Sequence, residues 1–220
     1  MNSPIATGTL ASAYVKAKLK VMASGYAPEI MWQKTLRIQE LTEVALLREC
    51  AWVILSTGMR ESIIRKKFAD ISHAFFEWTS AKEIVWHRDS CVRAALFSFR
   101  NERKIEAIAQ SAQIIYSKGF ERLRDEIAYD PIGTLRQFPY IGPATCFHMA
   151  KNIGLPFAKP DRHLCRLAAL SGYERSSDLC SAIADYIGDP VSVVDIVLWR
   201  FATLHPDYLT TFLCTETKDA

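Results

Sequence analysis

Between Asn101 and Gly119 the chain reads NERKIEAIAQSAQIIYSKG, and Ile105, Ile108, Ala109, Ala112 and Ile115 fall on one stripe. Apolar side chains at that spacing demand a helix with one face buried against a neighbour. The same pattern recurs along most of the sequence. LTEVALLRECAWVILSTG carries apolar residues at helical spacing and meets Gly58, a residue suited to the position after a helix C-terminus. TSAKEIVW starts with Ser80 and has Glu83 three positions on, a capping box. SSDLCSAIADYIG is closed by Gly188, and DPVSVVDIVLWRFATLHP by Pro206. No sustained period-two alternation and no Asn-Gly or Asp-Gly hairpin signal competes with this pattern. The expected fold class is all-α, with about ten to a dozen short helices.

At 220 residues the chain can bury a substantial core, as one domain or as two lobes. Its 50% hydrophobic and 23% charged content is that of a globular protein, not a disordered one. No run approaches the roughly 18 uninterrupted apolar residues of a membrane span. The first residues, MNSPIATGTLASAYVKAKLK, lack a charged leader followed by an apolar block, so a cytoplasmic location is expected, nucleoid-associated in a bacterium. A net charge of +3 names no partner by itself. Two clusters, Arg60, Arg65, Lys66 and Lys67, then Arg100, Arg103 and Lys104, read as solvated helix faces unless the fold gathers them toward phosphate. Six cysteines (Cys50, Cys91, Cys146, Cys165, Cys180, Cys214) sit in apolar contexts and read as reduced, mostly buried thiols. Cys146 with His148, and His163 with Cys165, are zinc-type pairs, but residues two apart on a helix face different ways. Neither a metal nor another cofactor is expected.

Three aspartates adjoin a proline at an expected helix start: Asp130, Asp161 and Asp189. An acid there accepts orphan backbone N–H groups and meets the positive helix end. Asp161 has neighbours that ask for more. Upstream runs TLRQFPYIGPATCFHMAKNIGLPF, in which Leu135 and Phe138 lead into a tight corner and a second helix is expected from Pro143. Gly142 would free the backbone to reverse. The N–H groups of Ala144 and Thr145 would lack intrahelical partners, which makes the corner an anion site suited to phosphate.

FPYIGPATCFHMA followed by KPDRHLCRLA resembles the signature of the helix-hairpin-helix, endonuclease III-like superfamily of DNA glycosylases (HhH-GPD). Phe138, Pro139, Ile141, Gly142 and Thr145 match the hairpin, and Asp161, His163 and Arg166 match the acid-bearing element. The match is sharp over 135–167 and weaker from about 40 to 205. The resemblance implies two helical lobes with a cleft between them: 40–152, ending in the helix-hairpin-helix, and 1–39 plus 153–220, contributing the catalytic aspartate. It implies base excision from double-stranded DNA containing a modified base, by a monomer that flips the nucleotide out of the stack. Tyr140, Gly142, Ala144, Thr145 and His163 would contact the DNA. Asp161 would be catalytic, since a carboxylate beside C1′ stabilises an oxocarbenium-like transition state and orients water.

Two departures from the family pattern matter. Tyr140 stands where the family has its first hairpin glycine, either meeting the DNA backbone or packing on the hairpin's outer face. Ala144 stands where strand-cutting members carry the Schiff-base lysine, so an efficient lyase step is not expected. Lys151 and Lys159 do not align with that position and read as surface residues. Trp32, Trp52, Trp78, Trp86 and Trp199 could stack on a flipped base but read first as core, Trp199 above all. Phe147 and His148, early in the second helix, are expected at the cleft. Which base is excised does not follow from these residues. Three alternatives stand beside this reading: a non-catalytic DNA-binding protein that keeps the hairpin, a glycosylase whose lyase step recruits an unaligned lysine, and a helical protein whose hairpin is only a core turn.

Overall fold

A computed structural model describes residues 5–213, which hold fourteen α-helices and no strand. In chain order the helices are α1 (Thr7–Val21), α2 (Ala27–Thr35), α3 (Glu43–Ser56), α4 (Glu61–Ala74), α5 (Ala81–Trp86), α6 (Arg88–Ser98) and α7 (Glu102–Lys118). There follow α8 (Phe120–Tyr129), α9 (Pro131–Leu135), α10 (Thr145–Asn152), α11 (Arg162–Leu170), α12 (Ser176–Ile187), α13 (Val191–Leu204) and α14 (Tyr208–Leu213). The number exceeds the expected one because short breaks at His87 and Asp130 split stretches that periodicity alone runs together. Two compact units result: one spans Arg37–Ile153, the other joins the residues up to Leu36 with those from Gly154 onward.

The central unit is built around α7. All five residues of its apolar stripe are buried, against α3, α5 and α6. Local chemistry sets the helix boundaries. Thr42 Oγ1 caps α3 by accepting Ala45 N–H at 3.1 Å, Asn101 caps α7, and Ser80 Oγ accepts Glu83 N–H. α7 stops at Gly119, whose φ of 77° is open to a residue without Cβ.

Two lysines depart from the surface reading. Lys104 is buried, and its Nζ donates to the carbonyls of Leu55 at 2.7 Å and Thr57 at 2.5 Å. It satisfies the orphan acceptors at the C-terminal end of α3, at the cost of a pKa lowered by burial. The other basic residues of its cluster, Arg100 and Arg103, are exposed, as are Lys66 and Lys67. Lys151 is also buried, on the inner face of α10. Beside it Glu49, in α3, accepts Asn152 Nδ2–H at 2.6 Å; burial pushes the Glu49 carboxyl up from its ordinary value.

Phe76, Glu77 and Trp78 hold φ values of 53°, 51° and 64°. Three non-glycine residues in the left-handed region cost on the order of 1–2 kcal/mol each. The turn drives Trp78 into the core, 2% exposed, where it stacks on Phe75 and donates from Nε1 to Ser72 Oγ at 2.8 Å.

In the terminal unit, α1 lies against α12, α13 and α14, and Leu10, Tyr14, Val21, Leu167, Ile183, Val194 and Phe201 share one core. Asp189 does not serve as a helix cap here. Pro190 occupies the N-cap of α13, and the Asp189 carboxylate turns inward to accept Tyr14 OH at 2.8 Å and Lys18 Nζ at 2.5 Å. Burial opposes its ionisation, yet the bonds from Lys18 and Tyr14 hold its pKa below the usual carboxylate range. Asp130 does cap its helix, through Gly133 N–H. Buried Arg200 donates twice to Glu29 and lies over the rings of Tyr26 at 4.2 Å and Trp199 at 4.6 Å. Trp199, expected in the core, is therefore only half-buried, because its face covers the guanidinium.

Cys50, Cys91, Cys146 and Cys180 are buried free thiols, Cys165 is exposed, and Cys214 lies outside the described residues. Among the described residues no helix is long and apolar enough to cross a membrane.

Candidate functional site

The hairpin stretch begins with α9 and ends in α10, which pack against each other. Phe138 and Ile141 are buried beneath the turn, while Pro143 and Ala144 are exposed. The second helix starts at Thr145, two residues later than expected, because Pro143 and Ala144 form a turn of their own. The left-handed residue is Tyr140, at φ 63°, and not Gly142. Tyr140 as a whole is 41% exposed. A Cβ built on Gly142 would meet only Thr145 Oγ1, at an ordinary 3.9 Å, so neither space nor backbone angle inside the protein requires glycine there.

Thr145 closes the corner. Its Oγ1 accepts Gly142 N–H at 2.6 Å and lies 3.3 Å from the carbonyl oxygens of both Tyr140 and Gly142, to either of which its hydroxyl can donate. Cys146 N–H returns to Gly142 O at 3.0 Å. Among the described contacts no acceptor reaches the N–H of Ala144 or Thr145, so two donors face outward at the positive start of α10. Such a corner can receive an anionic oxygen.

The acid stretch lies in the terminal unit. Asp161 is half-buried at the N-cap of α11, and its Oδ1 accepts His163 N–H at 2.8 Å. Among the described residues, none donates a hydrogen bond to its other carboxylate oxygen. His163 lies edge-on to Tyr208 at 5.2 Å; its Nδ1 is buried without a partner, and its Nε2 accepts Arg162 Nε–H at 3.3 Å. Burial lowers its pKa and favours the neutral ring. Arg166 is exposed on the same helix.

The structure thus joins Gly142 with Thr145, and Asp161 with His163, each pair through a side chain bonded to a backbone N–H. Of the aromatic residues considered for a base pocket, Trp78 is core, Trp52 is half-buried against Phe68, and Trp32 and Trp86 are exposed. Phe147 and His148 are half-buried on α10. One participant escaped the sequence reading. Asp195, buried in α13, accepts Lys159 N–H at 2.7 Å, two residues before Asp161. Its signal was available as a lone acid inside the apolar run VSVVDIVLW. Among the described residues no three His, Cys, Asp or Glu side chains gather as they would around a metal ion.

Compared with known family patterns, with curated proteins and with solved structures, the chain has no match.

Proposed function

We propose that the protein is a monofunctional DNA glycosylase that hydrolyses the N-glycosidic bond of a modified base flipped from the duplex. The observation that carries this reading is the state of Asp161: one oxygen is fixed by the helix cap and the other is left unbonded. A cap alone needs one oxygen. The second can face C1′ as the base departs, stabilise the positive sugar and orient the attacking water. The hairpin supports the same reading, because its two free N–H groups and its sterically undemanding glycine suit close approach of a sugar–phosphate backbone. The resemblance adds that hairpin and acid serve one and the same DNA strand.

Ala144 offers no amine for a Schiff base, so the base leaves to water. The protein acts as a cytoplasmic or nucleoid-associated monomer and needs no cofactor. The decisive experiment is a screen of duplexes bearing different modified bases, with free base measured before any alkali treatment. Asp161→Asn preserves an oxygen for the cap while removing the negative charge. It should keep DNA affinity and lower base release by at least about 100-fold. An unchanged rate in that variant removes Asp161 from the chemistry. A covalent adduct trapped with borohydride would instead assign a lyase step to another lysine.

A further inference from the structure

Helix α13 buries Val193, Val194, Ile196, Val197 and Leu198, and among them Asp195, which is 2% exposed. A carboxylate set among aliphatic side chains is costly unless polar partners take it up. Asp195 Oδ2 accepts the backbone N–H of Lys159, 36 residues earlier in the chain, at 2.7 Å. From there the path to Asp161 is short and stiff. Asp161 N–H donates to Lys159 O at 2.7 Å, closing a three-residue turn around Pro160, whose ring fixes its own φ. Asp161 Oδ1 then accepts His163 N–H, and Asp161 O accepts Cys165 N–H at 2.8 Å.

A buried carboxylate, a proline-locked turn and a helix cap are linked in series, and the series ends on the free oxygen of Asp161. We propose that Asp195 is the positioning residue for Asp161. Anchored in the core, it sets where the Lys159–Pro160–Asp161 turn leaves the surface, and so where the unbonded oxygen stands. Its catalytic consequence rests on the glycosylase reading; the mechanical link does not. A displacement of about 1 Å at a reacting group can cost on the order of 100-fold in rate. Asp195 therefore governs the chemical step without touching DNA.

The test uses the full chain as wild type, Asp195→Ala, Asp195→Asn and Asp161→Asn, at a temperature where circular dichroism shows every variant folded. Base release is followed in single turnover on the best duplex from the screen, and the dissociation constant for that duplex is measured alongside. Amide signals of Lys159 and His163 are followed by NMR in the free protein. Asp195→Ala should slow release about 10- to 100-fold and leave the dissociation constant within about twofold. It should also shift both amide signals, since Lys159 loses its acceptor and His163 its fixed cap. Asp195→Asn keeps an oxygen acceptor at the same place, and should recover the rate to within about threefold and restore both signals. An unmoved His163 amide in Asp195→Ala, or an Asn variant as slow as the Ala variant, overturns the proposal. If the wild type releases no base from any duplex, the glycosylase reading falls, while the two amides still decide whether Asp195 fixes Asp161.

Discussion

The hairpin turn and the acid turn both deliver backbone N–H groups and one polar side chain to the start of a helix, yet they are fastened in opposite ways. The hairpin is tied from within: Thr145 Oγ1 reaches back three residues to Gly142 N–H, and the strain of the corner stays on Tyr140 at φ 63°. The acid turn has local bonds as well, but it is also tied from without, by Asp195 across 36 residues of chain. A corner closed locally keeps its shape when distant packing shifts. One anchored by a remote carboxylate moves with the helix that holds it, which couples the core of the terminal unit to the carboxylate of Asp161.

Both turns have a buried carboxyl group behind them, and the strongest test of the contrast lies there. Asn152, at the end of the hairpin's second helix, donates to Glu49. Asn152→Ala leaves that carboxyl without its amide and should cost about 2–3 kcal/mol in denaturant unfolding. The loss should appear without any change at the Lys159 amide if the two turns are independently held. Burial raises the Glu49 pKa, so the stability contributed by its neutral form is complete below the ordinary glutamate value of 4.5 and is lost as pH rises through the raised folded value. Unfolding measured against Glu49→Gln across that window should show the wild type losing ground as pH increases. A flat difference would mean that Glu49 titrates alike in the folded and unfolded chain.

Smaller effects separate the fastenings themselves. Thr145→Val keeps the shape of the side chain and removes the oxygen that closes the corner; about 1–2 kcal/mol is expected. Asp161→Ala should cost about 1 kcal/mol as a lost cap, whereas Asp161→Asn should cost a few tenths, which isolates the capping role of the side chain from its charge. Tyr140→Gly relieves left-handed strain but loosens the unfolded chain, so a gain of at most about 1 kcal/mol is expected. A clear loss would show that the tyrosine ring packs on the hairpin more than it strains it.

What could be read from the sequence follows the same division between local and remote. The stripe from Ile105 to Ile115, the cap at Ser80, and the stops at Gly119 and Gly188 depend on residues within four positions, and the structure has them where they were expected. Lys104, Lys151 and Asp189 were misjudged, because each is buried by partners that no local pattern reveals. Tyr14 and Asp189 are 175 residues apart, and Lys104 is 49 from Leu55. The backbone freedom of the corner is expected at Gly142, but the left-handed residue is Tyr140, a position where local sequence gives no glycine to mark it. The residue types of the candidate site were legible as a short motif. The anchor at Asp195 was not, since an isolated acid in an apolar helix announces a buried bond without naming its partner.

The terminal unit is assembled from the two ends of the chain, and this imposes an order on its biosynthesis. When α1 leaves the ribosome, the helices that cover Leu10, Tyr14 and Val21 have not yet been translated. The central unit can close while its apolar predecessor waits for α12 and α13. Over that interval Tyr14 and Lys18 lack the carboxylate they will share. A stop upstream of Ser176 removes all three helices, α12, α13 and α14, that pack on α1.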